Sequence, residues 1–173
     1  MKKYELTEET VTVYGKTLYR IRAVRDFGSV KTGEFGGYIE KEENLSHFGD
    51  AWVYGNAKVY GNAKVYGNAW VYGNAKVYGD ARVSGNAWVY GNAEVFNTRH
   101  FFVQGPIGSR DGYVTFYRTK DDTIGVRCGC FSGSLQKFVD RVEETHGGSR
   151  YEKEYKIAAE LAKVCIRLEG ESR

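Results

Sequence analysis

The residues best suited to binding chemistry lie in a glycine-rich segment, GPIGSRDG, at positions 105–112. Its glycines leave backbone N–H groups accessible, while Ser109, Arg110 and Asp111 add a hydroxyl, a guanidinium and a carboxylate. Turns of this kind can hold phosphate or carboxylate oxygens, and arginine can bind such an anion with two parallel hydrogen bonds. The segment therefore predicts an anion-binding site. The alternative is a connecting loop whose glycines only satisfy turn geometry.

Arg118 and Arg127 lie downstream in two strand-like segments, residues 113–118 and 123–130. The turn-forming residues 120–122 join these segments as a hairpin, so the two arginines fall on neighbouring strands. Both side chains could enlarge a positive pocket around the glycine-rich segment. The glycine spacing fits neither a Walker loop nor a dinucleotide fingerprint, and no cofactor is predicted.

Few groups in the chain are suited to catalysis or metal binding. The candidates are three histidines and three cysteines: His47, His100, His146, Cys128, Cys130 and Cys165. No base can be paired with a cysteine nucleophile from the sequence, and C-x-C is a poor spacing for a zinc site. The cysteines are therefore interpreted as small buried hydrophobic residues, and no catalytic residue or metal ligand is predicted.

An uninterrupted array of eight six-residue units runs from residue 49 to residue 96. Each unit approximates Gly-Asn-Ala-x-Val-Tyr, in which the inward Ala and Val alternate with two outward positions, as in a short strand. The Gly-Asn pair is a turn signal, since both residues tolerate positive φ. Units this short bury a core only by stacking, so the array predicts a solenoid.

This array resembles the hexapeptide-repeat, left-handed parallel β-helix family. The match is carried by a large and a small inward residue in every unit: Val53, Val59, Val65, Val71, Val77, Val83, Val89 and Val95, with Ala51, Ala57, Ala63, Ala69, Ala75, Ala81, Ala87 and Ala93. The resemblance implies a left-handed triangular prism with three hexads per coil and, commonly, a homotrimer.

The segment before the array carries a second resemblance. RAVRDFGSVKTGEFGGYIEKEENLS, residues 22–46, runs straight into the repeats. This layout is similar to that of acyltransferase-like hexapeptide proteins of bacteria, and it also occurs in phage and prophage genomes. The similarity implies a phage or prophage origin and leaves an acyltransferase activity as one alternative.

With three hexads per coil, residues eighteen apart lie above each other and the outward side chains sort into three walls. One wall collects all the tryptophans of the chain and the tyrosines beside them: Trp52, Trp70, Trp88, Tyr54, Tyr72 and Tyr90. Such an aromatic patch exceeds what a monomer normally leaves in water. It predicts the subunit contact of a homotrimer. The alternatives are cover by the chain's own terminal domain and a bound ligand such as a sugar chain.

The segments on either side of the array are expected to close its ends. Residues 1–48 predict a β-hairpin cap and a first degenerate coil, with Phe35 beginning the inward stack. Residues 49–99 form the β-helix. Residues 100–173 predict a small α+β domain, in which a β-hairpin precedes two helices. The expected fold class is therefore mainly β: a left-handed parallel β-helix between a strand cap and an α+β domain.

Composition narrows the function. A net charge of +3 is too small to argue for nucleic acid, and no stretch is apolar enough to span a membrane. Three cysteines fit the reducing cytoplasm. We expect a non-enzymatic scaffold that holds an anionic, nucleotide-like ligand, such as a host defence signal, at subunit interfaces. The alternatives are an acyltransferase that uses coenzyme A and one of the histidines, and an adaptor that recognises a host protein.

Overall fold

The structure is a computed structural model that describes residues 1–169. Short strands wind into a β-solenoid of about three turns, with an antiparallel cap before it and a sheet with two helices after it. The expectation of a mainly β solenoid is confirmed, and its left-handed winding stays a prediction. Neither helix in this part of the chain is long and apolar enough to cross a membrane.

The N-terminal cap is a three-stranded antiparallel sheet of β1 (Tyr4–Val13), β2 (Lys16–Ala23) and β3 (Phe35–Ile39). Tyr14 and Gly15 form the turn between β1 and β2, with φ of 47° and 76°. Turns with positive φ at both central residues match the twist of paired antiparallel strands. Because β3 also pairs in parallel with a solenoid strand, the sheet of the cap continues into one wall of the solenoid.

Each hexad contributes one two-residue strand and one corner. The strands are β4 (Trp52–Val53), β5 (Lys58–Val59), β6 (Lys64–Val65), β7 (Trp70–Val71), β8 (Lys76–Val77), β9 (Arg82–Val83), β10 (Trp88–Val89) and β11 (Glu94–Val95). The corner glycines all have φ between 59° and 74°, a region that other residues enter only with strain. Strands three hexads apart pair in parallel, so the walls are β4-β7-β10, β3-β5-β8-β11 and β6-β9.

The interior of the prism is filled by the alanine and valine of every hexad, none of which is more than 1 % exposed. Outside, the corner side chains bond to their counterparts one coil away: Asn56 to Asn74 (3.5 Å), Asn62 to Asp80 (3.0 Å) and Asn68 to Asn86 (3.4 Å). Such ladders stabilise stacked strands of like sequence. The expected vertical register of eighteen residues is confirmed, and the three tryptophans share one wall.

The first turn has a period of twenty residues instead of eighteen. Ile39 pairs with Val59 and Leu45 with Val65, and both Ile39 and Leu45 are buried in the core. Phe35, which was predicted to begin the inward stack, is 46 % exposed and pairs with β2. That prediction is wrong because two extra residues between Leu45 and Val53 lengthen the first coil, since these two residues are eight apart whereas their partners Val65 and Val71 are six apart.

Two polar side chains close the N-terminal end of the solenoid in place of a missing coil. Lys3 is fully buried, and its Nζ donates to the carbonyl oxygens of Gly49 (3.2 Å) and Ala51 (2.6 Å). The equivalent carbonyls one coil further on accept backbone N–H groups of the preceding coil. Burial lowers the pKa of Lys3 to about 8, although the charge of Asp50 opposes the shift.

Asn44 closes a second wall in the same way. Its buried amide donates to the carbonyl oxygens of Gly61 (3.2 Å) and Ala63 (2.8 Å). The remaining wall is covered by the backbone of β3, since Tyr38 N donates to Ala57 O (2.9 Å). The free edge of the first full coil is thus satisfied on all three walls, as buried carbonyl groups require.

The C-terminal part is an antiparallel sheet followed by two helices. Its elements are β12 (Phe101–Ile107), β13 (Gly112–Arg118), β14 (Ile124–Cys128), β15 (Phe131–Ser134), α1 (Leu135–His146) and α2 (Arg150–Cys165). Both expected helices are present, and β13 and β14 form the expected hairpin, whereas β15 was not anticipated. The Ser149 side chain accepts from Glu152 N (3.3 Å) and so begins α2, as its capping-box sequence indicated.

This sheet is covered on both faces. On one face Phe116 and Val126 pack against the helices, where Phe138 lies edge-on to Phe116. On the other face Tyr117 joins the core of the solenoid, and Thr115 Oγ1 accepts from Trp88 N (2.9 Å). The C-terminal sheet therefore closes the far end of the solenoid, with β13 over its last coil.

The role of Lys3 can be tested with the substitution Lys3→Met. We expect it to lower the free energy of unfolding by about 2 kcal/mol, because the buried carbonyl group of Ala51 and the partly buried one of Gly49 lose their donor. Lys2→Met is the matched control, since Lys2 forms only an exposed ion pair with Glu42 and should change stability by less than about 1 kcal/mol. Urea denaturation at pH 7 measures both. Equal stabilities of the two variants would contradict a closing role for Lys3.

Candidate functional site

A cleft of about 720 Å³ opens between the last coil of the solenoid, the β14–β15 turn and the two helices. We term it the arginine cleft, because Arg110, Arg127 and Arg141 line it. Its volume lies within the range of small-molecule sites. Of the residues predicted to form an anion site, Ser109, Arg110 and Arg127 are brought together here, whereas Asp111 and Arg118 are not among the lining residues.

The charge in this cleft is one-sided. No aspartate or glutamate is among the lining residues. Within residues 1–169, no carboxylate lies within 4.0 Å of the guanidinium of Arg110 or Arg127. Arg141 contacts Glu144 at 3.4 Å, but both side chains are more than half exposed, so this pair neutralises little. Two of the three guanidinium groups are therefore without a protein counter-charge in the described part of the chain.

Arg127 is held against the aromatic wall of the solenoid. Its guanidinium carbon lies 5.3 Å from the ring centre of Tyr90, 5.7 Å from that of Trp88 and 5.9 Å from that of Tyr72. Cation–π attraction from three rings fixes the orientation of the group. Its Nε atom and the Tyr72 hydroxyl are nevertheless sealed from solvent without a hydrogen-bond partner in the described residues. Arg127, which lines the cleft, thus has its Nε atom buried against the aromatic wall.

The glycine-rich segment is a tight hairpin rather than an open loop. β12 extends to Ile107 and β13 begins at Gly112, so only residues 108–111 form the turn. Gly108 N donates to Glu154 on α2 (2.7 Å), and a Cβ on Gly108 would collide with the Tyr155 hydroxyl. The turn is therefore anchored to α2, which positions Ser109 and Arg110 at the cleft. A cradle of several glycine amides is not formed.

Arg118 has a structural position away from the arginine cleft. It is 4 % exposed, and its guanidinium contacts Asp122 (2.7 Å) and Glu169 (3.1 Å) and lies over the ring of Phe96. Nη1 also donates to Glu94 O (3.4 Å) in the last coil. Because its charge is already paired, Arg118 helps to close the solenoid and does not supply a free guanidinium.

Aromatic side chains form the rest of the cleft wall. Trp88, Tyr113, Phe131, Phe138 and Tyr155 all line it. Trp88 and Tyr113 are 42 % and 43 % exposed, so their rings offer apolar surface to a ligand. Of these, Trp88 belongs to the aromatic wall that the sequence predicts as a subunit contact. The sequence did not indicate the other four aromatic residues, nor Arg141, as parts of a site. A single arginine on a polar helix face carries no distinctive signal.

Cys128 and Cys130 line the cleft at the β14–β15 turn, and neither is in a disulfide. Cys130 is exposed, so the expectation of buried cysteines is wrong for this residue. Burial raises the pKa of Cys128, although its hydrogen bond with Tyr155 opposes the rise. Burial likewise raises the pKa of Tyr155 to about 12. Both groups are protonated at pH 7, so neither supplies an anionic nucleophile at this pH.

Two of the three histidines have structural contacts outside the cleft. His47 stacks on Tyr4, and its Nδ1 accepts from Lys3 N (3.3 Å). His100 is 7 % exposed, and its Nδ1 accepts from Phe96 N (3.3 Å) at the end of the last coil. Desolvation lowers the pKa of His100 to about 4, assisted by the charge of Arg118. His146, at the end of α1, is the histidine that lines the arginine cleft.

The residues of the aromatic wall, which is predicted as a subunit contact, lie in three different environments. Trp52 is fully buried by its own chain, edge-on to Tyr4 and Phe27 of the cap, and so offers no surface to another subunit. Trp70 is half-buried, and Tyr72, Trp88 and Tyr90 lie beneath Arg127. Tyr54 is 48 % exposed. The homotrimer contact stays a prediction for the members other than Trp52.

Comparison with known proteins supports the solenoid. A family model described as the YdcK β-solenoid repeat matches residues 57–73 and 75–91, both inside the hexad array. This similarity supports a β-solenoid repeat protein, and it does not extend to the hexapeptide acyltransferases. No curated protein matches the chain.

The pKa of His100 predicts a pH-dependent loss of stability. Because the folded state keeps the ring neutral down to about pH 4, the unfolded state takes up the proton first as the pH falls below about 6.5. We expect this ring alone to cost about 2 kcal/mol of stability at pH 4.5 relative to pH 7. His100→Gln, which keeps an acceptor for Phe96 N, should lack this component.

Urea denaturation of the unchanged protein and of His100→Gln at pH 7 and pH 4.5 isolates the contribution of His100 to stability, because the two proteins share all other titrating groups. If the stabilities of the two proteins fall in parallel, His100 is not kept neutral by the fold.

Proposed function

We propose that this protein is a non-enzymatic β-solenoid binding protein whose arginine cleft takes a small anionic ligand with an aromatic part, such as a nucleotide. The observation that carries the proposal is the absence of any acidic side chain among the lining residues, which include three arginines. Free guanidinium groups bind phosphate or carboxylate oxygens in bidentate geometry. The exposed rings of Trp88 and Tyr113 suit stacking on a planar base.

The site lies within one chain, between its solenoid and its C-terminal part. The proposal therefore does not require the subunit interface at which the sequence had suggested such a ligand.

A catalytic role has less support in this cleft. Acyl transfer of the hexapeptide type needs a histidine base, and only His146 is at hand. The phage or prophage origin, the cytoplasmic location and the sequestration of a host defence signal rest on the resemblance and the composition. They remain part of the proposal and are not needed for the binding chemistry.

Ligand binding can be tested with ADP, inorganic pyrophosphate and adenosine as probes in isothermal titration calorimetry. We expect ADP to bind more tightly than either fragment, because it engages both the guanidinium groups and the rings. Arg110→Ala should weaken ADP binding at least about tenfold, since a charge-assisted hydrogen bond is lost. Quenching of Trp88, the exposed tryptophan that lines the cleft, provides a second readout.

Arg82→Ala is the matched control, because Arg82 is an exposed arginine on the third wall and does not line the cleft. It should bind ADP as the unchanged protein does. No binding by ADP or by any other common nucleoside mono- or diphosphate would overturn the nucleotide assignment, as would equal losses in Arg110→Ala and Arg82→Ala.

The homotrimer is a separate part of the proposal. Tyr54 is the member of the aromatic wall that is exposed and outside both the cap and the cleft. If this wall joins subunits, Tyr54→Glu should shift the protein to monomers in sedimentation velocity, because a carboxylate would be buried in an apolar contact. Lys64→Glu, on the third wall, should leave the mass unchanged. If both variants have the same mass, the subunit contact does not lie on the aromatic wall.

A further inference from the structure

A second cleft, of about 300 Å³, lies at the junction between the last coil and the turn that joins β13 to β14. Tyr90 and Asn92 contribute from the solenoid, and Tyr117, Thr119 and Asp121 contribute from the C-terminal part. We term it the hydroxyl cleft, because threonine, serine and tyrosine side chains make up half of its lining residues. None of these residues lines the arginine cleft.

The two clefts differ in charge. The hydroxyl cleft has no lysine, arginine or histidine among its lining residues, and its one charged residue is Asp121. This carboxylate is exposed and has no ion pair within residues 1–169. Among the lining residues an anion would meet the carboxylate of Asp121 and no cationic side chain, and the nearby Arg127 lies over the Tyr90 ring and lines the arginine cleft instead. The ligand of the arginine cleft therefore does not suit this site.

Tyr117 is the buried polar residue of the hydroxyl cleft. It is 4 % exposed and lines the cleft. A Cβ at Gly125 would lie 2.5 Å from Cε2 of its ring, so this glycine allows the ring to lie close to β14. Burial raises the pKa of Tyr117 to about 12, so the hydroxyl keeps its proton and can donate.

Hydroxyl groups surround this tyrosine. Thr119 and Thr123 share a hydrogen bond between their hydroxyl oxygens (2.8 Å). Ser132 and Ser134, on β15, complete the polar side of the cleft. A hydroxyl both donates and accepts, which matches the alternating donors and acceptors of a polyol. The half-buried ring of Tyr90 packs against Tyr72 and Arg127, and the part of it that lines the cleft supplies apolar surface for the C–H groups of a sugar.

The hydroxyl cleft is also held in place by the backbone. Lys120 N donates to Asn92 O (3.0 Å), which fixes the β13–β14 turn to the last coil. Within the turn, Thr119 N donates to Thr123 O (2.9 Å), and Asp122 N donates to Thr119 O (3.1 Å). A site that is already formed loses less conformational entropy when it binds a ligand.

We propose that the hydroxyl cleft binds a neutral sugar residue, with the sugar ring on Tyr90 and its hydroxyl groups on Tyr117, Asp121 and Ser132. The carboxylate of Asp121 accepts from two sugar hydroxyls, and the Tyr117 hydroxyl donates to a ring or hydroxyl oxygen. The volume accommodates one sugar ring rather than a long chain. This site is independent of the function proposed for the arginine cleft.

The test uses the full chain and a panel of neutral sugars: glucose, galactose, mannose and N-acetylglucosamine. Each is tested as the free sugar and within oligosaccharides bound to an array. Saturation-transfer NMR detects the binding, and titration gives the dissociation constant. We expect at least one sugar to bind, and Tyr117→Phe to weaken it about tenfold because only the hydroxyl is removed. Asp121→Asn, an exposed substitution that leaves folding intact, should weaken it comparably.

Arg110→Ala is the matched control, since Arg110 lines the other cleft, and it should leave sugar binding unchanged. Choline chloride tests the competing class of ligand, an organic cation held by Asp121 and the aromatic rings. The proposal is overturned if no sugar of the panel binds, if neither Tyr117→Phe nor Asp121→Asn weakens binding, or if choline displaces the sugar at equal concentration. Loss of sugar binding in Arg110→Ala alone would assign the sugar to the arginine cleft.

Discussion

The hydrogen-bonding edge of each coil is the constraint on which the rest of this molecule depends. A hexad buries only an alanine and a valine, so the array is stable only while every coil is paired on both sides. At the first coil, Lys3 and Asn44 donate to carbonyl groups that have no preceding coil. At the last coil, Thr115 and His100 accept backbone N–H groups that have no following one.

The C-terminal sheet that closes the last coil also forms the two clefts. The C-terminal sheet lies with β13 over the solenoid, and its outer strands β14 and β15 continue past it. Both clefts form under this extension, each with solenoid residues on one side and β14–β15 residues on the other. Both proposed sites thus follow from how the end is closed, because Arg127 lies over the Trp88 ring at one cleft, and Tyr117 and Tyr90 line the other.

The repeat could be predicted from the sequence because its geometry is local. An alternation of period two and a corner glycine determine which side chains point inward, and the eighteen-residue register placed Trp52, Trp70 and Trp88 on one wall. The first coil could not be predicted in this way, since two extra residues between Leu45 and Val53 change its period to twenty. The helices were readable from apolar spacing, whereas the short β15, with sequence Phe-Ser-Gly-Ser, has little of the apolar alternation by which strands are recognised.

The site was predictable only in part, because identical outward positions acquire their roles from what lies above them. Each full coil has a Trp-Val strand in the same position. The cap buries Trp52 in the first of these strands, whereas Trp88 in the last one is 42 % exposed at the arginine cleft. Arg118 and Arg127 are likewise the same residue type on adjacent strands, Arg118 opposite Ile124 and Arg127 opposite Thr115. One faces Asp122 and Glu169 and is neutralised, while the other faces aromatic rings and is not. Residue type and spacing therefore locate an anion site only when the counter-charges of each arginine are known from the fold.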